Sequence, residues 1–328
     1  MQVLITGGAG LLGMRLAKQI LARGVLAGAD GRAQTVSRIT LLDVAAAAPI
    51  DDARVACVVG DIAAPACVAA AVTPDTATIF HLAAVVSGQA EADFALGMRI
   101  NLDATRLLLE AARHNGNCPR VVFTSSVAAF GGKLPVRVSD NWSPTPQSSY
   151  GVQKVIGELL VNEYSRRGFV DGRVLRMPTV CVRPGAPNAA ASSFASGIIR
   201  EPLAGVDAVC PVSADTVMWL ASPQVAIDNM IHGHELAASA FGPSRIVSLP
   251  GLSVRVGEMA AALARVAGPA VAARIVWQPD PAIERIVNSW PGDFVTERAE
   301  GMGFGRDASF DAIVQYYIRS ELGGRVPV

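Results

Sequence analysis

The chain has 328 residues, of which 51% are hydrophobic and 17% are charged, and its 28 basic side chains balance 28 acidic ones. This composition is typical of a folded protein with one large or two modest domains, and it argues against intrinsic disorder. The neutral balance indicates no basic surface, so neither nucleic acid nor an anionic membrane is expected as a partner.

Cysteine content and hydropathy indicate the cellular compartment in which the protein is expected to work. The five cysteines are scattered, odd in number and without CxxC spacing. This pattern favours a reducing compartment and predicts neither a disulfide framework nor a metal site. The apolar stretches are much shorter than the ~20 residues of a membrane-spanning helix. A predicted strand already begins at residue 3, so no signal peptide is expected and the cytoplasm is the expected location.

Short apolar runs alternate with helical patterns through the first half of the chain. The predicted elements are a strand at 3–6, a helix at about 11–23, strands at 39–43, 55–61 and 78–84, a helix at about 92–114, a strand at 120–126, a helix at about 150–167 and a strand at 172–180. Continuous apolar strands separated by helices predict an α/β fold whose parallel sheet is doubly wound. Beyond residue 180 the pattern becomes irregular.

A glycine pattern stands between the first strand and the first helix. Gly7, Gly10 and Gly13 lie in TGGAGLLG, and Leu11 and Leu12 open the helix. A dinucleotide pyrophosphate needs a tight turn, a backbone without Cβ atoms in the way, and free N–H groups at a helix start. The pattern therefore predicts a dinucleotide site, although an ordinary strand-to-helix turn would also contain such glycines.

Residues that end the next strands extend this predicted site. Asp43 ends the second strand, where a carboxylate can accept hydrogen bonds from the adenosine ribose and would repel a 2′-phosphate, so NAD is the expected cofactor. Asp61 and Ile62 follow the third strand and are candidates for the adenine edge. Ala83 and Val85 follow the fourth and are candidates for the pyrophosphate and nicotinamide ribose. Both pairs could equally be packing residues at strand ends.

A tyrosine and a lysine share one face of the helix predicted at about 150–167. Tyr150 and Lys154 lie four residues apart, so the ammonium can stabilise the phenolate and bring its pKa toward neutral pH. Ser126 adds a hydroxyl at the carboxyl end of a strand, where ligands of such sheets bind. Its neighbour Ser125 is the alternative, because only one of two consecutive strand residues faces the site.

These motifs resemble a known family when they are taken together. TGGAGLLG, Asp43, GDI at 60–62, HLAA at 81–84, TSSVAAFGG at 124–132 and YGVQK at 150–154 are similar to the extended short-chain dehydrogenase/reductases over about residues 1–180. The resemblance implies a Rossmann-type fold that binds NAD, with Tyr150 as proton acceptor. Ser126 would then orient the substrate hydroxyl, and Lys154 would also hold the nicotinamide ribose, near Asn101.

The resemblance also guides the remaining site residues and the domain organisation. Pro178 is assigned to the cofactor site, and Ser87 and Thr179 are assigned to the substrate site. We expect an NAD-binding domain at 1–180 with contributions from about 215–250, and a substrate-binding region at 181–214 and 251–328. The helices that carry Asn101 and Tyr150 often pair across a two-fold axis in this family, which implies a homodimer.

The second half of the chain bears on the substrate. Nucleotide-sugar enzymes of the family carry a diphosphate-binding arginine where this chain reads VMWLASPQVAID at 217–228. The loop at 183–205 offers Arg183, Asn188 and Ser193 instead, which suits a small hydroxylated carboxylate, although the arginine could also be a surface charge. Several segments resemble a bacterial branch that oxidises the four-carbon sugar acid D-erythronate at C2, which implies that reaction here.

Two other functions remain open on the sequence alone. A nucleotide-sugar epimerase or dehydratase would keep NAD tightly bound and return the hydride to its substrate. A dinucleotide sensor without catalysis would use the same fold, but it predicts a damaged tyrosine or lysine, and both residues are present.

Overall fold

The computed structural model describes residues 1–186 and 190–326, and the chain divides into two units. The first unit consists of Met1–Ser126, Ser149–Arg176 and Ile227–Val247. The second consists of Val127–Ser148, Met177–Ala226 and Ser248–Val328. The sequence-based boundaries differ from these units chiefly at 127–148 and at 215–226, two segments that were expected in the NAD-binding domain but group with the second unit.

The strands are short, with two to seven residues each. They are Gln2–Thr6 (β1), Val25–Ala27 (β2), Ala33–Thr35 (β3), Arg38–Asp43 (β4), Val55–Val59 (β5), Thr76–His81 (β6), Arg120–Ser126 (β7), Asp171–Met177 (β8), Thr179–Val180 (β9), Ala208–Cys210 (β10), Val217–Ala221 (β11), Ile246–Ser248 (β12), Leu252–Arg255 (β13) and Ile275–Trp277 (β14).

The helices range from single turns to the long helix that carries Tyr150. They are Leu11–Arg23 (α1), Pro65–Ala71 (α2), Ser87–Ala92 (α3), Phe94–Gly97 (α4), Ala104–Asn115 (α5), Ser149–Arg166 (α6), Ser193–Leu203 (α7), Pro223–Glu235 (α8), Ala238–Phe241 (α9), Val256–Ala267 (α10), Pro269–Ala272 (α11), Pro281–Val287 (α12), Glu297–Gly301 (α13) and Phe310–Glu321 (α14). A π-helical segment covers Met98–Asp103, and a 3₁₀ turn covers Val127–Ala129.

The main sheet has the doubly wound order that the alternating pattern predicts. Among the described residues, seven strands pair in the order β12-β8-β7-β6-β1-β4-β5. The pairings of β1 with β4 and β6, of β4 with β5, and of β6 with β7 are parallel. The chain runs outward from β1 to β5 and then returns to β6, so the strand order reverses beside β1. Such a reversal is where ligands bind in open α/β sheets.

Apolar side chains bury both faces of this sheet, which is why its strands read as continuous apolar runs. Val3, Leu4 and Ile5 of β1 are almost fully buried. Leu4 belongs to a cluster that includes Leu108 of α5 and Val121 of β7. Burial of side chains of this size contributes roughly 1.5–3 kcal/mol each and holds the strand ends in a fixed register.

Two arginines fix the end of α8 in the first unit. Arg173, which is fully buried, donates from Nε to the Gly233 carbonyl at 3.2 Å and from Nη2 to the Leu236 carbonyl at 2.8 Å. Arg120 donates from Nη1 to the His234 carbonyl at 3.0 Å. These guanidinium groups satisfy carbonyls that a helix leaves unpaired at its C-terminus.

Three stretches depart from the predicted elements. The strand predicted at 172–180 divides at Pro178, which has no N–H to donate, into β8 and β9, which belong to different sheets. The antiparallel pair of β2 and β3 occupies most of the segment 26–38, which reads as a turn-rich insert. The continuous helix predicted at about 92–114 is interrupted, because α3, α4 and the π-helical segment precede α5. A one-turn π bulge leaves no signature in the apolar period, so the periodicity did not reveal it.

The second unit has its own sheets and core. In it β11 pairs antiparallel with β13 and parallel with β9, while β10 pairs parallel with β14. Its apolar cluster joins α7, α10 and α14 through Ile198, Leu263 and Val314. Over the described parts of both units, no helix is long and apolar enough to cross a membrane.

Candidate active site

The loop between β1 and α1 requires glycine at the positions the pattern marks. Gly7 has a φ of +69°, and a Cβ there would lie 2.8 Å from the Ala83 nitrogen. A Cβ on Gly13 would lie 2.4 Å from the Gly7 carbonyl oxygen. Gly10 caps α1, which begins at Leu11. The loop therefore packs tightly enough to bring backbone N–H groups to a ligand.

A cleft of about 500 Å³ in the first unit opens at the carboxyl ends of these strands. This volume lies within the usual range of ligand and cofactor sites. Predicted cofactor residues that line it are Gly7, Gly10, Asp43, Asp61, Ile62, Ala83 and Val85. Leu11, Leu12 and Gly13 belong to the first turn of α1, next to Gly10. We call this the cofactor cleft.

Asp43 is held at the end of β4 by two backbone groups. Its Oδ2 accepts from the Ala9 N–H at 3.0 Å, and its Oδ1 accepts from the Ala45 N–H at 3.1 Å. The first of these bonds ties the carboxylate to the glycine loop. Each carboxylate oxygen can accept a further hydrogen bond, so Asp43 can anchor the loop and still accept from a ribose hydroxyl.

Asp61 pairs with an arginine that the motifs did not indicate. Its Oδ2 accepts from Arg99 Nη1 at 2.5 Å, and its Oδ1 accepts from the Ala63 N–H at 2.8 Å. The backbone N–H of Ala63, together with Arg99, lowers the pKa of Asp61. Arg99 lies on the π-helical segment and also lines the cofactor cleft, so the charge at the predicted adenine end is partly neutralised.

Asn101 lies in the π-helical segment and is almost fully buried. Its Oδ1 accepts from the Val85 N–H at 2.8 Å, and its Nδ2 donates to the Val85 carbonyl at 3.0 Å. Nδ2 also donates to Oε1 of Gln153 at 2.7 Å. The amide thus ties the loop after β6 to α6, between Tyr150 and Lys154.

Lys154 is buried beside the tyrosine. Its Nζ donates to the Thr124 carbonyl at 2.8 Å and lies 4.8 Å from the ring centre of Phe123. The same Nζ is 5.6 Å from the ring centre of Tyr150. Burial lowers the pKa of Lys154 to about 8, and the charge of Glu158 opposes this effect. The structure thus brings the predicted catalytic lysine and tyrosine together on α6.

The two serines at the end of β7 have different surroundings. Ser125 is buried, and its Oγ donates to Oε1 of Glu158 at 2.5 Å. Ser126 ends the strand and is only half-buried. Because consecutive strand residues point to opposite faces, the engagement of Ser125 with Glu158 favours Ser126 as the serine that meets the substrate.

A chain of hydrogen bonds connects the glycine-loop strand to the π-helical segment. Thr105 Oγ1 donates to the Asn101 carbonyl at 2.8 Å, so it accepts from Nε2 of His81 at 2.9 Å. Nδ1 of His81 then accepts from Thr6 Oγ1 at 2.7 Å. Burial lowers the pKa of His81 to about 3, so this histidine is neutral at physiological pH.

The remaining predicted residues belong to both units. Ser87 begins α3 in the first unit. Pro178, Thr179, Arg183 and Ser193 lie in the second unit, where the Arg183 N–H donates to Oγ of Ser196 at 3.0 Å. Asn188 lies outside the described residues. Within residues 1–186 and 190–326, no cluster of three His, Cys, Asp or Glu side chains is placed to hold a metal ion.

Comparison with known proteins defines the family. A model of the NAD dependent epimerase/dehydratase family matches residues 3–219. The chain belongs to this family. It is 58% identical over 318 residues to D-erythronate dehydrogenase of Cupriavidus necator, covering 97% of this chain and 98% of that protein. It is 44% identical to D-erythronate dehydrogenase of Haemophilus influenzae, covering 98% of this chain and 100% of that protein.

A solved structure is similar to this chain in both fold and sequence. The structure described as the nucleoside-diphosphate-sugar epimerase from Agrobacterium tumefaciens superimposes with a TM-score of 0.93 at 44% identity, covering 100% of this chain and 96% of that one. The predicted family and the Rossmann-type α/β fold are thereby confirmed. NAD is confirmed as the cofactor type of the family, and the residues of the cofactor cleft fit a dinucleotide.

Several residues of the site carry no sequence motif. Glu158 lies four residues after Lys154 on α6, a spacing that could have indicated it. Arg176, Arg99 and Gln153 reach their partners from other elements, and only the folded chain reveals those pairings.

Proposed function

We propose that the protein oxidises the C2 hydroxyl of D-erythronate to give 2-dehydro-D-erythronate, with NAD as the hydride acceptor. The observation that carries this proposal is the 58% identity, over nearly the whole of both chains, to D-erythronate dehydrogenase of Cupriavidus necator. The Tyr150 and Lys154 pair on α6 supports it, because the oxidation of an alcohol needs a proton acceptor beside the hydroxyl group that is oxidised.

Each residue of the site would have its own role in the reaction. Tyr150, as phenolate, takes the proton of the C2 hydroxyl while Ser126 hydrogen-bonds the same oxygen. The Lys154 ammonium favours the phenolate form by its charge. NAD, when bound, accepts the hydride from C2. Asp43 and the glycine loop would hold the adenosine ribose and the pyrophosphate, and Asn101 would fix the loop that carries Val85.

The substrate carboxylate needs a cation, and we propose Arg183 for this role, because a guanidinium group can bind a carboxylate through two parallel hydrogen bonds. Ser87, Thr179 and Ser193, together with Asn188, are proposed to contact the hydroxyl groups, and Pro178 the nicotinamide end of the cofactor.

Formation of NADH tests the proposal directly. Purified protein mixed with NAD and D-erythronate should produce NADH at a rate that depends on both concentrations. The variant Tyr150→Phe, prepared in the same way, should produce almost none. Absence of NADH with the wild-type protein would refute the proposed reaction.

A second candidate function is suggested by the Agrobacterium tumefaciens structure, whose description is a nucleoside-diphosphate-sugar epimerase. Such an enzyme returns the hydride to its substrate and therefore forms no net NADH. Chromatography of the denatured protein would reveal NAD that is retained through purification. Retained NAD, together with isomerisation of a nucleotide sugar and no NADH from D-erythronate, would favour this second function.

We also propose a homodimer formed through α4 and α6. Phe94 on α4 is 63% exposed, and Val152 and Leu159 on α6 are 42% and 60% exposed. The two α6 residues are seven apart and lie on one helix face. Light scattering should give about twice the mass of the chain, and Leu159→Asp should give a monomer; a monomeric wild type would contradict the proposal.

The proposed location is the cytoplasm, and the five unpaired cysteines support it. Thiols remain reduced in that compartment. Cell fractionation followed by detection of the protein tests this location, and recovery in a membrane or exported fraction would contradict it.

A further inference from the structure

We propose that Glu158, fixed by Arg176, is a positioning residue that keeps the Lys154 ammonium charged beside Tyr150. The inference rests on the proposed function, in which Lys154 must be charged to stabilise the phenolate. Glu158 touches neither the substrate nor the cofactor in this proposal and acts only through Lys154.

The carboxylate of Glu158 is held by three donors. Arg176 donates from Nε to Oε1 at 2.8 Å and from Nη2 to Oε2 at 2.7 Å. Ser125 donates to Oε1 at 2.5 Å. The exposed fractions of Glu158 and Arg176 are 1% and 7%. A bidentate, charge-assisted pair with a third donor has little freedom to reorient, so the negative charge stays at one place.

That place is one helical turn from Lys154. Residues four apart on α6 share a face, and burial around Lys154 disfavours the charged amine. In the part of the chain that the structure describes, the titratable groups near Lys154 include Tyr150 and Glu158 on α6 and His81 on β6, and Arg176 on β8 is bound to Glu158. His81 is neutral, so before the phenol of Tyr150 ionises Glu158 is the group among these whose negative charge favours the ammonium.

Stability alone does not explain a buried ion pair here. Removing two charges from water costs several kcal/mol per ion, and well-packed apolar residues often give an equally stable core. The pair of Glu158 and Arg176 is therefore better explained by its effect on a neighbouring charge. Ser125 extends the arrangement to the end of β7, where the next residue is Ser126.

Direct titration of Lys154 tests the proposal without any need for catalysis. The chain contains three lysines, at positions 18, 133 and 154, so protein labelled with ¹³C at lysine Cε gives a simple NMR spectrum. The signal of Lys154 is identified by its loss in Lys154→Arg. In Glu158→Gln its titration midpoint should fall by about one pH unit, while the signals of exposed Lys18 and Lys133 should titrate as in the wild type.

Two further variants separate charge from folding. Glu163→Gln removes an exposed carboxylate from the same helix and should leave the Lys154 midpoint unchanged. Glu158→Leu combined with Arg176→Met removes both buried charges at similar volume; its midpoint should also fall, by less than in Glu158→Gln. This double variant decides the matter if Glu158→Gln does not fold. An unchanged Lys154 midpoint in the folded variant would overturn the proposal.

Kinetics provides the second readout. With D-erythronate and NAD, the alkaline limb of kcat/KM in Glu158→Gln should move to lower pH by the same amount as the Lys154 midpoint. Lack of NADH formation by the wild type would refute the proposed function, whereas the NMR result would still decide the role of Glu158.

Discussion

Two side chains on α6 and one at the end of β7 hold the atoms that the proposed reaction needs. Tyr150 supplies an oxygen that can accept a proton, Lys154 supplies a charge, and Ser126 supplies a hydroxyl. Each can be replaced by a side chain of similar size, which is phenylalanine for Tyr150, arginine for Lys154 and alanine for Ser126. Substitution of these side chains therefore tests the chemistry with little disturbance of the fold.

Removal of the phenolic oxygen should abolish turnover. Tyr150→Phe should lower kcat by about 10²–10⁴-fold, the usual contribution of a general base, with NAD affinity close to that of the wild type. Stopped-flow or steady-state measurement of NADH, with calorimetric titration of NAD, checks both parts. Tyr316→Phe, which removes a hydroxyl in the second unit, is the matched control and should retain activity.

The charge of Asp43 should determine the choice between NAD and NADP. Asp43→Asn keeps an oxygen acceptor for the Ala9 N–H but removes the repulsion of a 2′-phosphate. The ratio of kcat/KM for NAD to that for NADP should fall by about tenfold, equivalent to about 1.4 kcal/mol. An unchanged ratio would show that Asp43 does not face the ribose.

The residues of the proposed site that the sequence indicates are those with a local signature. Gly7, Asp43 and Tyr150 each stand at a fixed distance from a recognisable strand or helix. Arg176, the buried partner of Glu158, has no local signature in the sequence. It follows 18 residues later on β8, and its pairing depends on how α6 crosses the sheet. The choice between Ser125 and Ser126 likewise depended on the partner that Ser125 finds.

Helix α1 and the glycine loop before it pack closely against each other. The first turn of α1 lies so near Gly7 and Gly8 of the loop that Gly13 has no room for a methyl group. The strands and the longer helices followed from periodicity, since each has several residues in phase. The β2 and β3 hairpin and the π-helical segment did not, because strands of three residues and a single wide turn contain too few residues to show a period.

Gly13→Ala should break this contact. The added Cβ would lie 2.4 Å from a backbone oxygen that no rotamer change can move. Unfolding free energy should fall by about 1–3 kcal/mol, and NAD affinity should fall by more than about tenfold as the loop shifts. Urea unfolding and calorimetry measure these effects. Gly301→Ala, where the methyl group meets nothing within 4 Å, should change neither.

The folded protein should lose stability in mild acid. The pKa of His81 is lowered by burial from its ordinary value of 6.5 to about 3, and burial also lowers the pKa of His234. Between about pH 6.5 and about pH 3, the unfolded chain binds a proton at His81 that the folded chain does not. Stability is therefore complete above about pH 6.5 and falls as the pH decreases toward 3.

Unfolding free energy measured in urea at several pH values tests this dependence. Each buried histidine should contribute a slope of up to about 1.4 kcal/mol per pH unit below its ordinary pKa. His81→Gln should make the decline less steep, whereas His114→Gln, at an exposed position, should leave it unchanged. If the unfolding free energy of His81→Gln declined as steeply with falling pH as that of the wild type, His81 would not be a source of this pH dependence.

The arginine contacts at the end of α8 have a consequence for the order in which the protein matures on the ribosome. Arg120 and Arg173 are synthesised well before the carbonyls of His234 and Leu236 that accept their hydrogen bonds. Until α8 emerges, the donors that face these carbonyls have to remain hydrated, because the earlier partners, the Ala27 carbonyl for Arg120 and Asp171 for Arg173, do not satisfy them. That part of the interior cannot close before then. The cofactor-binding unit therefore cannot finish folding during translation of its first segment, and a nascent chain arrested before α8 would remain open to chaperones and proteases.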